Sequence, residues 1–281
     1  MANYDPSRTA GLRRRFVGQM NKRFQKVNRE IREFLVKDDA FGLTAPDSPL
    51  IIQQQVPYRQ YQFLTNPQKT AAFRKWLQDR INAGILSVDV KGKPWTAEYI
   101  DSAYRKGMTR AFIDTLPPAK AGSYDFFMGS KKEFLRQAFM QPEMLSKIEL
   151  LSTRAFENLK DITTSMSAQL NRILSDGLSH GHSPEKISRA MAKQIGKLSR
   201  TRARVLARTE IINAHAEGQL DGFEKLGIKK TQLRAEWSTA GDDIVCPQCG
   251  AMEGETFSID KARGLIPLHP NCRCAWIPYT K

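Results

Sequence analysis

The chain has 281 residues, 41% of them hydrophobic, enough for one large domain or two modest ones with a real buried core. Its 44 Lys and Arg against 29 Asp and Glu leave a formal charge of +15, which favours a polyanionic partner, nucleic acid or an acidic protein surface, beside the plainer reading of a solvated surface. The longest apolar stretches fall far short of the ~20 residues a bilayer crossing needs, the opening residues read as no secretory leader, and all four cysteines lie in the last 36 residues, which argues against a membrane span, secretion or a disulfide scaffold spread through the fold.

Residues 8 to 37 carry ten Lys or Arg against two Glu. Phe16, Met20, Phe24, Val27, Ile31 and Phe34 or Leu35 recur at three- and four-residue steps, the pattern of an amphipathic basic helix. Periodicity does not separate a helix packed on its own domain from an arm facing DNA or a partner. Gly42, Pro46 and Pro49 break the pattern, so a loop is expected from Asp38 to Pro57. Two helices follow, Pro67 to Ala83 with Phe73, Trp76, Leu77 and Ile81 on one stripe, and Thr96 to Leu116 with Tyr99, Ile100, Ala103, Met108 and Phe112; aromatics at this spacing read as core. Pro117-Pro118 is expected to stop the second helix, and the small residues up to Tyr124 read as a linker.

A long helical tract then runs from Lys131 to Leu178, interrupted near Pro142 and closed by Gly177 and Gly181, with a stripe of Ile148, Leu151, Ala155, Leu159, Ile162, Met166, Leu170 and Ile173 suited to a bundle. Ser183-Pro184-Glu185 is a strong helix start. A short helix to Ile195 and, after Gly196, a second from Ser199 to Leu226, ended by Gly227, are expected. Between Lys186 and Arg208 stand eight Lys or Arg and no acid, which makes Lys186, Arg189, Lys193, Lys197, Arg200, Arg202 and Arg204 the first candidates for phosphate contact, with pairing to an acidic protein as the competing reading.

Beyond residue 228 the chain changes character, with a strand-like run from Thr231 to Trp237 and a Gly- and Pro-rich tail. The spacing Cys246-Pro-Gln-Cys249, nineteen residues, His269-Pro-Asn-Cys272-Arg-Cys274 offers five donors for four positions. A Cys-x-x-Cys turn presents two thiolates to one ion and a second turn completes a tetrahedron, the arrangement zinc prefers. Cys246, Cys249, His269 and Cys272 form the favoured set, although Cys272 and Cys274 point to the same side of an extended segment and the sequence does not choose between Cys274 and His269 as the odd one out. A closed set implies a structural ion. His215-Ala216-Glu217 ahead of Cys246-x-x-Cys249 superficially mimics a zinc-deaminase signature. However, Val245 stands where that chemistry places a proline, and His215 falls within a helical packing pattern.

Ala207-Arg208-Thr209-Glu210, then Ala214 and Gly218, then Trp237-Ser-Thr-Ala-Gly-Asp-Asp-Ile-Val-Cys-Pro-Gln-Cys, Gly254, Phe257 and Ile266-Pro-Leu-His-Pro-Asn-Cys-Arg-Cys-Ala together resemble the phage Mu F-like family of head morphogenesis proteins. The resemblance covers about residues 150 to 281. It implies a non-catalytic minor capsid component in the head interior of a tailed bacteriophage, made in the host cytoplasm, near the portal vertex. The implied partners are the portal protein, the packaged double-stranded DNA, and a major capsid or scaffold protein. Arg208 and Glu210 are read as a buried pair orienting their helix, beside the plainer reading of a solvated i,i+2 pair without contact, and Trp237 as a structural motif residue. The alternatives are a free nucleic-acid-binding protein and a zinc-dependent nucleic-acid-modifying enzyme. The expected architecture is mainly α, a long-helix bundle with a small zinc-stapled α+β module. It divides into a basic helical arm (1–45), a helical region (46–122), a bundle with basic helices (123–227) and the Cys/His module (228–281).

Overall fold

A computed structural model of the protein describes residues 5–41, 67–121, 129–226 and 234–279. The chain is mainly α, with long helices and a small sheet near its C-terminus. Helix α1 (Ala10–Arg32) continues into a π-helical turn, Glu33–Lys37. It is followed by α2 (Pro67–Gly84), α3 (Ala97–Ala121), α4 (Lys131–Phe139), α5 (Pro142–Ser179) and α6 (Pro184–Lys225). Strands β1 (Arg234–Ser238), β2 (Thr256–Phe257) and β3 (Ala275–Tyr279) form an antiparallel sheet in the order β2-β1-β3, with the short helices α7 (Pro247–Gly250) and α8 (Ile259–Ala262) in its connections. Among the described residues no helix is long and apolar enough to cross a membrane.

The chain divides into two compact units, one of residues 1–18, 89–158 and 204–281, the other of 19–88 and 159–203. In the second, Met20, Phe24, Val27, Ile31 and Leu35 are buried, as the helical stripe requires, and Phe34 stacks on Trp76 at 4.2 Å. The expected close at Gly177 and Gly181 resolves into two roles. Gly181 takes φ +62 in the turn after α5, where the His182 amide donates to the Gly177 carbonyl at 2.8 Å. Gly177 is a packing glycine, since a Cβ there would stand 2.5 Å from the Ile187 side chain.

Two expected breaks are absent. Helix α3 runs on through Pro117 and Pro118 to Ala121, because proline withdraws a donor and adds a clash without forbidding helical φ. Helix α6 passes Gly196 unbroken for 42 residues; glycine inside a helix costs only about 1 kcal/mol relative to alanine, less than the buried positions on either side supply. The break near Pro142 does occur. Ser130 starts α4 with a reciprocal cap, its hydroxyl accepting from the Glu133 amide at 3.3 Å while the Glu133 carboxylate takes the Ser130 N–H at 2.8 Å. The expected loop beyond Phe41, the linker near Tyr124, the Gly227 cap and Thr231 to Leu233 of the strand-like run lie outside the described residues.

In the first unit α3 and α6 cross at close range. A Cβ on Gly107 would overlap the His215 carbonyl oxygen, one on Gly218 the Tyr104 carbonyl oxygen, and one on Gly222 would stand 2.6 Å from Ala111 Cβ. The sheet docks on the same helix. Gln219 Nε2 donates to the Trp276 carbonyl at 2.6 Å and its Oε1 accepts the Trp276 amide at 3.1 Å, so a buried side-chain amide pairs with β3 as a neighbouring strand would. Trp237 and Trp276, paired across β1 and β3, meet edge to face at 5.4 Å and are fully buried.

Candidate metal centre

Two tight turns carry the site. Cys246 is the N-cap of α7, Pro247 occupies the first turn, and the Cys246 sulfur accepts the Cys249 amide at 3.4 Å, which turns both sulfurs the same way. His269-Pro-Asn-Cys272 closes with the Cys272 amide donating to the His269 carbonyl at 3.1 Å and Asn271 at φ +69. Proline then a left-handed asparagine is the composition a type II turn demands.

The turns bring His269 Nε2 to 3.1 Å from both Cys246 Sγ and Cys249 Sγ, and Cys249 Sγ to 3.8 Å from Cys272 Sγ. Cys249 is common to two metal-competent triads, Cys246–Cys249–His269 and Cys249–Cys272–Cys274. All five donors expected from the sequence are therefore gathered at one place. A tetrahedron with metal–sulfur bonds of about 2.3 Å has edges of about 3.8 Å, the separation of Cys249 and Cys272. His269 donates Nδ1–H to the Pro270 carbonyl at 2.8 Å, which leaves the Nε2 lone pair facing the sulfurs, the orientation that a metal-bound imidazole needs.

The thiols are not equivalent. Cys246 is drawn below the ordinary thiol range chiefly by the Cys249 amide on its sulfur. Cys272 falls to about 5 because it accepts a hydrogen bond from the Cys274 thiol, and the same bond raises Cys274. Burial pushes Cys249 up. Lowered and raised thiols thus stand side by side in the cluster, and a cation is what allows all ligating sulfurs to ionise together. The loops are pinned from outside by Arg273, whose guanidinium grips both oxygens of Asp242, at 2.6 Å on one side.

His215 stands apart. Among the described residues it joins no metal-competent group with the cysteines; it is fully buried in α6, with Asp5, Arg110, Lys106 and Arg13 as the charges acting on it. Glu217 is occupied by Arg263 at 3.2 Å and the Gly264 amide at 3.1 Å. The deaminase-like spacing therefore assembles no such site.

The expected Arg208–Glu210 pair is corrected. Residues two apart on a helix face different ways. Glu210 is buried against Arg154 at 3.3 Å and Asn158 at 3.0 Å, both from α5. Sequence reasoning also missed Asp221, whose side chain is fully buried and receives the Tyr104 hydroxyl, Lys147 and Arg263. Lone charges scattered over four segments leave no spacing signal. The basic candidates Lys186, Arg189, Lys193, Lys197, Arg200, Arg202 and Arg204 are all exposed. At 100° per residue the first five fall on one face of α6, over about 21 Å of axis, and among the described residues none of them pairs with a carboxylate.

Fold and site together define a mainly α chain whose C-terminal sheet closes around a Cys/His cluster able to hold a metal ion. Residues 168–277 match the family described as Phage Mu protein F like protein, and this segment is of the phage Mu F-like family. No curated protein and no solved structure matches the chain.

Proposed function

We propose that the protein is a minor capsid component of a tailed-phage head, a head morphogenesis factor seated in the head interior near the portal vertex. The family match over residues 168–277 carries this reading. Within that segment three residues of the resembling motifs have architectural work: Gly218 admits α3, Trp237 anchors β1, and Asp242 locks the cysteine loop. The role is positional and non-catalytic. The ion is zinc, held by Cys246, Cys249, His269 and Cys272, with Cys274 supporting Cys272 as a hydrogen-bond donor. Such a closed set leaves no open position for substrate or water, and supplies on the order of 10 kcal/mol to a segment with little core of its own.

The partners are the portal protein, a major capsid or scaffold protein, and packaged double-stranded DNA, which meets the exposed Lys186–Arg200 face of α6. The second reading, a free nucleic-acid-binding protein, rests on that same unpaired basic face. Incubation of the purified chain with isolated portal assemblies and DNA-free heads separates them. Low, fixed stoichiometry on both supports the head role, whereas duplex binding without association with either particle favours the second reading.

A further inference from the structure

Arg208 belongs to the motif that carries the family resemblance, yet neither the metal centre nor the α6 basic face uses it. Its surroundings hold more cation than anion. Asp5 is already engaged: one oxygen takes Ser7 at 2.6 Å, and the other takes the Ala10 amide at 2.8 Å and Arg13 Nη2 at 2.7 Å. Asp242 is equally committed, both oxygens to Arg273 and one also to the Ile244 amide at 3.1 Å. The Asn271 amide donates to Thr209 Oγ1 at 3.4 Å, which seats the turn leading to Arg273 beside Arg208 on α6. Arg13 Nη1 is buried with no hydrogen-bond partner among the described residues. Arg208 and Arg273 both lie within electrostatic reach of Arg13, so three guanidiniums share two carboxylates that are already engaged, and Arg13 keeps a buried donor without an acceptor. Such a donor is destabilising, the more so when charged, unless something fills it.

We propose that Arg13, Arg208 and Arg273 form a binding site for a phosphate-type oxyanion beside the Cys/His cluster. Guanidiniums approaching from α1, α6 and the cysteine loop suit a group with three or four oxygens better than a carboxylate with two. Burial, with neighbouring arginines adding to it and Asp5 opposing it, pulls Arg13 and Arg208 below the usual guanidinium range, the imbalance that an anion relieves. The phosphate comes either from solution or from a nucleic-acid backbone. Binding there does not depend on the head role.

The test is calorimetric titration of inorganic phosphate into the full chain at constant ionic strength set with chloride. Saturable one-to-one binding is expected, weakened tenfold or more in Arg208→Gln, with Arg208→Lys between because it keeps charge and loses the fork. Metal content and thermal unfolding establish that the variants fold. Should Arg208→Gln fail to fold, the wild-type titration decides: a response no different from that to added chloride overturns the site. Equal phosphate affinity in wild type and a folded Arg208→Gln overturns it as well. Competition against a short duplex then assigns the source, since mutual exclusion supports a backbone phosphate in the site and independent binding supports a free one. Duplex binding lost on reversing Lys193 and Lys197, with phosphate binding intact, concerns the α6 face alone and supports a separate phosphate site.

Discussion

The Cα of Gly218 faces the Tyr104 carbonyl so closely that any side chain at 218 would occupy the same space as that oxygen. The clash is with backbone, which does not rotate away. Gly218→Ala should therefore cost well over 3 kcal/mol or prevent folding of the first unit, as overpacking against main chain does. Gly18, with nothing within 4 Å of an added Cβ inside α1, gives the control: Gly18→Ala should gain up to about 1 kcal/mol. Denaturant melts of the two variants measure the contrast, and equal effects would contradict the crossing.

His215 predicts the acid limb of the stability curve. Burial lowers its pKa from 6.5 to about 3, so its contribution is complete above pH 6.5 and is lost as pH falls toward about 3. The loss by pH 4 is roughly 3 kcal/mol. His215→Gln should flatten this slope in melts recorded between pH 7 and pH 4, whatever it does to stability at neutral pH.

Asp221 holds two cations and a phenol from a fully buried position. Asp221→Ala should cost about 1–3 kcal/mol, since the buried Tyr104 hydroxyl loses its carboxylate acceptor, while Lys147 is part-exposed and Arg263 keeps Glu217 and Glu224. Asp101 makes an exposed i,i+4 pair with Arg105 at 2.9 Å, and Asp101→Ala should change stability by less than about 0.5 kcal/mol. Urea midpoints compare them directly.

The Cys/His cluster predicts an order of ligand importance. Cys249→Ser, which removes the donor shared by both triads, should abolish bound zinc and with it the folding of the C-terminal sheet. Cys274→Ser should keep close to one zinc per chain, because its hydroxyl still donates to Cys272. Atomic emission on purified variants reads the metal, and the loss of zinc in Cys274→Ser at full retention in Cys272→Ser would reverse the assignment.

Local periodicity and short-range spacing were legible in the sequence. The α1 stripe is buried from Phe16 to Leu35, and two turns written in Cys, Pro, Asn and His converge as their spacing requires. Pairings between distant segments were not legible. Glu210 finds Arg154 and Asn158 across 52 residues or more, Gln219 caps a strand edge 57 residues away, and Gly107 and Gly218 matter only because their helices cross. The misjudged stop at Gly196 has such a cause, a local penalty of about 1 kcal/mol read without the buried Ile195 and Leu198 on either side that outweigh it.

The head role is tested most directly by quantitative mass spectrometry of heads purified from infected cells, with a high-salt wash to strip loosely held protein. The account predicts a low, fixed number of copies per head, retained after the wash. Absence of the chain from washed heads, with all of it free in the lysate, would contradict it.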